Sequence, residues 1–565
     1  MQVLDAPASD SFVDRARSAP LWAHGVALLV VLLALIPVVG TESVFSADEG
    51  AAIIQARRVA ESGTWVGAHP LPQLDPEVAG YPIHLAVETG EGFHELTRHP
   101  LYVEMLVVAW DGGLAALMAV SIVGTALAAL LAGALAGRLD ERLGRPTLWA
   151  VGLASPLVFD SYLVIAHTLG AALAAAAAWF LIGRDPRWWL PAGAISVAGL
   201  SMIRSEGVLL GLSLGAVLFV MGAARRDGDR LRAGVVAGVS AVAGYLLDDW
   251  WTESLKADSI GTAGASAERF QGGLHGRFEG FKRTWLWIDS RGMGPGDELI
   301  LLAIVLAVMA AIAVRIGATA RVITGLSAAS VVLLALRVLA EPHAIVPGLV
   351  FAFPLLLIGL ALLRPHHLRL GDGRGQELLA AAALFAVVVL ATQYSVGGTT
   401  EWGGRYFALA LPLITPLLVA AVLDGAVSLD RVVARRWLGA VVALSLLVPV
   451  LGVLGLRRSK ARTAELVTAV EAATVAAGAD TVVVTSMGPV GRWSWPIVED
   501  RPWALVEPDR FDDLAGELER AGVSRVVHVS FLDDGTESDA LARHYERGPT
   551  FRPSFDDRWA AVVYE

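Results

Sequence analysis

The sequence predicts a polytopic α-helical membrane protein with a small α/β domain at its C-terminal end. Hydrophobic residues make up 55% of the chain, and its mean hydropathy is +0.59. Apolar runs of membrane-spanning length recur between residues 22 and 456. After that the pattern changes to alternating helix and strand.

Residues 22–40 open the series. This run is too long and too lightly flanked for a cleaved signal peptide, and no small-residue cleavage pattern follows it, so it reads as a retained span. Residues 48–60 read as an amphipathic helix at the membrane surface, with Ile53, Ile54 and Val59 on its apolar side. Further spans are expected at 114–137, 147–159, 163–182, 189–203, 207–222, 233–247 and 299–314. The series continues at 322–339, 345–363, 378–391, 406–422 and 438–456, which brings the total to about thirteen.

Basic residues orient these spans. With the N-terminus in the cytoplasm, the inside loops carry Arg138, Arg142 and Arg145, then Arg184 and Arg187, then Arg225, Arg226, Arg230 and Arg232. Arg315 and Arg321, then Arg364, Arg369 and Arg374, and finally Arg431, Arg435 and Arg436 continue the alternation. The short outside loops hold almost no basic residues apart from Arg204 and Arg405 at span ends. The expectation is a multi-pass protein of the plasma (inner) membrane, with its N-terminus cytoplasmic and its C-terminal domain extracytoplasmic.

Two domains follow: a transmembrane domain over 1–456 with large outer loops at 41–101 and 248–296, and an extracytoplasmic domain over 457–565. In the latter, 463–477 and 511–521 have helical periodicity, while 481–485, 525–530 and 559–564 read as strands. Gly488, Gly491 and Trp493 follow the first strand without completing a dinucleotide fingerprint, so no cofactor is assigned there. With no cysteine in the chain, disulfides, thiolate metal sites and cysteine nucleophiles are excluded. The net charge of -11 arises mostly from acids in the outer loops and tail, which argues against nucleic-acid binding.

The most informative local feature is the run from Phe45 to Gly50, where Asp48 and Glu49 emerge from the first span at head-group level. Ser46, Asp48 and Glu49 could simply cap the following helix, since a helix N-terminus favours negative charge. Other isolated charges fall on the same side: Asp160, Arg204 with Glu206, Arg337 with Glu341 and His343, and Glu401 with Arg405. Ionisable residues at membrane depth are expensive and usually face a cavity. Each also has a plain alternative, as a local ion pair, a snorkelling arginine or a loop residue.

Four short motifs then resemble a known family. The Asp48–Glu49 pair follows the first span, and His99, Pro100, Leu101 and Tyr102 close the first loop. Arg204, Ser205 and Glu206 turn into a later span, and Gly403, Gly404, Arg405 and Tyr406 precede a late one. In order, side and spacing the chain is similar to the GT-C membrane glycosyltransferases, in the style of the protein O-mannosyltransferase and aminoarabinose transferase group and its actinobacterial relatives.

That resemblance implies inverting transfer of a sugar from a polyprenyl-phosphate donor to a glycan, lipid or protein acceptor on the outer face of the bilayer. Such chemistry needs a carboxylate to take the acceptor proton and cations to stabilise the departing phosphate. Asp48 is expected as the base, with Glu49 orienting it or sharing the proton. Arg405 and Arg204, then Arg337 and His343, are expected at the phosphate, because a guanidinium binds oxyanions bidentately. Glu206, Tyr406, His99 and Tyr102 complete the substrate-binding set. Asp160 could bind the acceptor, assist the base or hold a divalent metal with Asp48. A transporter or lipid flippase is the alternative, but its charges would line a path through the bilayer midplane.

Overall fold

The computed structural model describes residues 19–67, 71, 74, 86–89, 92–95, 99–183, 186–255, 273–287, 296–392, 402–531 and 535–565. Arg184 and Glu401 lie outside them. Helices α1 (Leu21–Ala34), α2 (Ile36–Val39) and α3 (Ala47–Ser62) precede a hairpin of β1 (Ala86–Thr89) and β2 (Gly92–Glu95). Next come α4 (Pro100–Ala109), α5 (Gly113–Leu139), α6 (Gly144–Leu153), α7 (Leu157–Asp160), α8 (His167–Leu181), α9 (Pro186–Ile203), α10 (Ser205–Arg225) and α11 (Gly228–Leu255). They are followed by α12 (Gly273–Leu286), α13 (Asp297–Arg315), α14 (Ala320–Ala340), α15 (Leu349–Ala352), α16 (Pro354–Leu362), α17 (Pro365–Leu368), α18 (Leu370–Thr392) and α19 (Leu411–Val427).

Among the described residues, nine helices are long and apolar enough to cross a membrane, counting Pro100–Leu139 as one. His167–Leu181 and Trp189–Ile203 are shorter apolar helices. The runs at 147–159 and 345–363, each expected as one span, are broken helices. Ala154, Ser155 and Pro156 separate α6 from α7, and Phe353 separates α15 from α16, which Pro354 opens. Proline lacks the amide proton that a continuous helix needs at those points. The expected outer loop at 248–296 begins later than predicted, because α11 continues to Leu255 and carries Asp248 on its last turns.

The boundary expected near residue 456 falls within a helix. One 47-residue helix, α20 (Arg431–Ala477), leaves the bundle and becomes the first helix of the tail. At 1.5 Å per residue it is about 70 Å long, roughly twice the hydrocarbon thickness.

The tail adds α21 (Gly488–Trp493), α22 (Phe511–Arg520) and α23 (Gly535–Ala542) around a five-stranded sheet. Its strands are β3 (Thr481–Thr485), β4 (Trp503–Leu505), β5 (Arg525–Phe531), β6 (Arg547–Phe551) and β7 (Trp559–Tyr564), in the order β4-β3-β5-β7-β6. The first three are parallel, and β7 and β6 add antiparallel. Alternation along β3 sends Val483 to one face and Val482 and Val484 to the other. Phe511, Ala515 and Leu518 of α22 cover the second face. Leu466, Val470 and Ala473 of α20 cover the first, and Ala51 and Ile54 of α3 pack there too.

Helix α3 therefore does not lie on lipid with one apolar side, as the sequence suggested. Ala51 and Ile54 enter the tail core, while Ala52, Ile53 and Ala56 pack on Tyr102, Val103, Leu106 and Met118 of the bundle. The helix is buried between two domains because two apolar stripes, not one, run along it. Fully burying each isoleucine contributes about 1.5–3 kcal/mol to the joint.

Candidate functional site

The two acids of the Phe45–Gly50 run part company. Ser46 and Glu49 form a capping box: Ser46 Oγ accepts from the Glu49 amide at 3.3 Å, and Glu49 Oε2 accepts from the Ser46 amide at 2.8 Å. Glu49 Oε2 also accepts from the Phe45 amide at 3.0 Å, and Oε1 takes the Val164 amide at 2.9 Å. Fully buried and holding three backbone amides, Glu49 fastens the start of α3 to the segment after Asp160. That arrangement suits orienting its neighbour better than sharing a proton.

Asp48, next in the helix, points instead at arginines. Arg405 Nη2 donates to its Oδ2 at 2.9 Å, and Arg492 Nη1 stands 3.5 Å from its Oδ1. Both arginine side chains are 7% exposed, whereas that of Asp48 is 32% exposed, so the carboxylate is the part of the group that a substrate can reach.

Arg405 is aimed by the two glycines before it. Gly403 and Gly404 have φ of 66° and 67°, a conformation that side chains resist. Their amides donate at 2.8 Å to the carbonyls of Val346 and Pro347. A Cβ at Gly403 would lie 2.5 Å from Pro156, and one at Gly404 would lie 2.7 Å from the Thr284 carbonyl. The space beside the glycines is thus filled by protein, and their role is to deliver Arg405 at the head of the 3-10 turn Arg405–Ala410. The Arg405 guanidinium also lies 5.3 Å from the Tyr406 ring centroid, and Trp402 stacks on Phe159 with centroids 5.2 Å apart.

Asp160 ends α7 and is 1% exposed, on the segment that Glu49 fastens. Two residues further along, the Tyr162 carbonyl accepts at 2.9 Å from Lys460 of α20, which is fully buried. The buried phenol of Tyr102 lies within electrostatic reach of both Glu49 and Arg204. Arg204, at the N-cap of α10, pairs with Glu206 at 2.8 Å. A Cβ on Gly170 would touch both Arg204 Cγ at 3.1 Å and Leu409 at 2.8 Å, so Arg204 packs beside the turn that carries Arg405. His99, ahead of α4, bonds through Nδ1 to Asp248 Oδ2 at 2.9 Å.

Arg337 belongs to a different group. Its Nη2 donates to Asp297 Oδ1 at 3.0 Å and to the His343 carbonyl at 3.3 Å, and Nη1 reaches the Glu341 carbonyl. His343 Nε2 lies 3.0 Å from Glu341, and Arg458 approaches its Nδ1 at 3.4 Å. Burial, and then Arg458, lower the His343 pKa below the ordinary imidazole value. These bonds tie the ends of α13 and α14 to α20.

Among the described residues, the His, Asp and Glu donor atoms that converge as metal ligands would are those of His366, His367 and Asp424. Asp424 lies toward the end of α19 remote from Arg405. Both histidine Nε2 atoms face its Oδ2, at 3.1 and 3.2 Å. His367 Nδ1 accepts the Arg364 amide proton at 2.9 Å, which leaves the ring proton on Nε2, directed at Asp424. Burial, and then His366, hold the His367 pKa low. This is a hydrogen-bonded hub whose proton a metal would have to displace. At Asp48 the facing guanidiniums suit an anion rather than a cation.

Sequence reasoning missed Arg492, Lys460 and Asp248. The one signal for Arg492 was its place between Gly491 and Trp493, just after the first strand of the tail.

No protein-family model matches the chain, and no curated protein matches it in sequence. Among solved structures it is similar to ArnT from Cupriavidus metallidurans bound to undecaprenyl phosphate, with a TM-score of 0.51 and 13% identity over 98% of each chain. The apo form of the same protein aligns with a TM-score of 0.52 and 13% identity, over 96% of this chain and 97% of that one. The alignment extends from the first span through the tail domain, so the two proteins share an overall fold.

Proposed function

We propose that this protein transfers a sugar, with inversion, from a polyprenyl-phosphate donor to an acceptor hydroxyl on the extracytoplasmic face of the plasma membrane. The observation that carries the reading is the Asp48 carboxylate, partly exposed and gripped by Arg405 at 2.9 Å. Asp48 takes the acceptor proton as the acceptor oxygen attacks the anomeric carbon. The bond from that carbon to the donor phosphate breaks, and the charge left on the phosphate oxygen falls to Arg405. Glu49 fixes the helix start that aims Asp48, and Tyr406 and Trp402 back the arginine turn.

An apolar crevice of about 370 Å³ supports the lipid part of the reading. Trp149, Leu153, Leu355, Val419, Val441 and Leu446 help to line it, and it reaches Ala154. Ala154 is two residues from Pro156, the neighbour of Gly403, so an isoprenoid chain in the crevice would lead to the arginine turn. The likeness to ArnT, whose structure holds undecaprenyl phosphate, agrees with a donor of this chemical class.

The test is Asp48→Asn in the purified full-length protein. It should still fold and bind a polyprenyl phosphate, with a lower unfolding temperature because Arg405 and Arg492 lose their counter-charge, while turnover per folded molecule drops by about a hundredfold or more, the scale of a lost general base. Wild-type turnover in Asp48→Asn would leave the acid as a helix-start residue and nothing more.

A further inference from the structure

We propose that Arg492, carried by the C-terminal domain, is a second ligand of the donor phosphate, so that the site is completed across the domain boundary. This rests on the reading of the protein as a polyprenyl-phosphate-dependent transferase. Asp48 Oδ2 faces Arg405 from the bundle and Oδ1 faces Arg492 from the tail, so two guanidiniums from different domains converge on one carboxylate. Each guanidinium has five N–H donors and can hold a carboxylate and a phosphate together.

The approach of Arg492 is built into the backbone. A Cβ at Gly50 would fall 1.8 Å from the Arg492 carbonyl oxygen, so any other residue at position 50 would force α21 away from α3. The next turns of α3 clamp the following tail segment: Arg58 Nε donates to Glu499 at 3.0 Å and Arg57 Nη1 to the Pro496 carbonyl at 3.0 Å. Ala51 and Ile54 continue the contact into the tail core. An arginine held this deeply, on a fixed backbone and beside the reacting carboxylate, is preorganised for an anion at little cost in side-chain entropy.

Two roles are separable by experiment: ligand of the phosphate, or strut that merely docks the tail. The probe is a polyprenyl monophosphate without sugar, titrated onto the full-length protein in detergent. Arg492→Gln should weaken its binding about tenfold, the loss of roughly one charge-assisted contact. The KM for donor should rise by a similar factor, and kcat should change less. Glu499→Gln, which loosens docking without touching Asp48, should lower thermal stability but leave that affinity at the wild-type value. Arg492→Lys keeps the charge and should show an intermediate loss, and it decides the matter should Arg492→Gln not fold. Wild-type affinity in Arg492→Gln, or in Arg492→Lys if only that variant folds, would overturn the proposal while leaving the transferase reading standing. So would an equal loss in Glu499→Gln. Failure of the wild type itself to bind the lipid phosphate would remove both.

Discussion

Two arginine–carboxylate groups stand out among the sites singled out in the sequence, and they differ in what they leave open. Around Arg337 the guanidinium is 3% exposed and bonds to Asp297, to two backbone carbonyls and toward Glu341, whose side chain is 45% exposed, an arrangement that joins α13, α14 and the approach to α20. Around Asp48 the arginines are 7% exposed, and the one carboxylate they share is 32% exposed. In the first group two acids flank one base. In the second, two bases present one acid to whatever enters. Isolated charges look alike in sequence, and what separates a clasp from a site here is whether several acids flank one base or several bases converge on one reachable acid.

The comparison can be broken most forcefully at Arg337. Arg337→Ala removes the base of this buried group and should destabilise the protein by about 3–5 kcal/mol, the usual cost of breaking a buried ion pair. Detergent-solubilised thermal unfolding would show this, with turnover per folded molecule preserved. A turnover defect without a stability loss would move Arg337 into the site.

Gly50→Val comes next, because its side chain collides with the Arg492 carbonyl. Overpacking of this kind costs about 1–3 kcal/mol, and here it should appear as earlier protease cleavage of the tail together with weaker donor use. A Gly50→Val protein whose tail resists protease like the wild type would show that the close approach is dispensable.

Arg405→Lys is subtler. Lysine keeps the charge but loses the planar fork, so donor use should fall about tenfold, or ~1.4 kcal/mol, with expression and unfolding temperature almost unchanged. Equal affinity of Arg405→Lys and wild type for a polyprenyl phosphate would leave Arg204 as the stronger phosphate candidate.

The smallest effect is the pH response of the Arg337 group. The folded pKa of His343 lies below its unfolded value, so its contribution to stability is present above about pH 6.5 and is lost as the pH falls through the folded value. His343→Gln should therefore flatten the unfolding temperature slightly over that window, without altering the pH dependence of turnover. A change confined to turnover would assign His343 to the chemistry.

Much of this was legible in the sequence, and the gaps have physical causes. The apolar runs, the strands at 481–485, 525–530 and 559–564 and the Asp48–Glu49 motif follow from local periodicity and composition. Arg405 announces itself by the glycines that its turn requires. The two proline-broken spans were legible only as length, since an apolar run looks the same whether or not the helix pauses within it. Residues 457–462 contain no glycine or proline to mark where α20 leaves the membrane, so span and tail helix looked separate. Arg492 and Lys460 meet the site only through tertiary packing, and no local pattern encodes a partner hundreds of residues away. The burial of α3 on two sides was hidden for the same reason: one stripe meets the bundle, and the other waits for a domain that comes last in the chain.

The measurement that bears most directly on the central claim is a structure of the full-length protein with a polyprenyl monophosphate bound. The phosphate should lie within hydrogen-bond reach of Arg405, beside the Asp48 carboxylate, with its isoprenoid chain entering the crevice at Leu153 and Leu355. A phosphate held instead at Arg337 and His343, or at the His366–His367–Asp424 hub, would contradict the account.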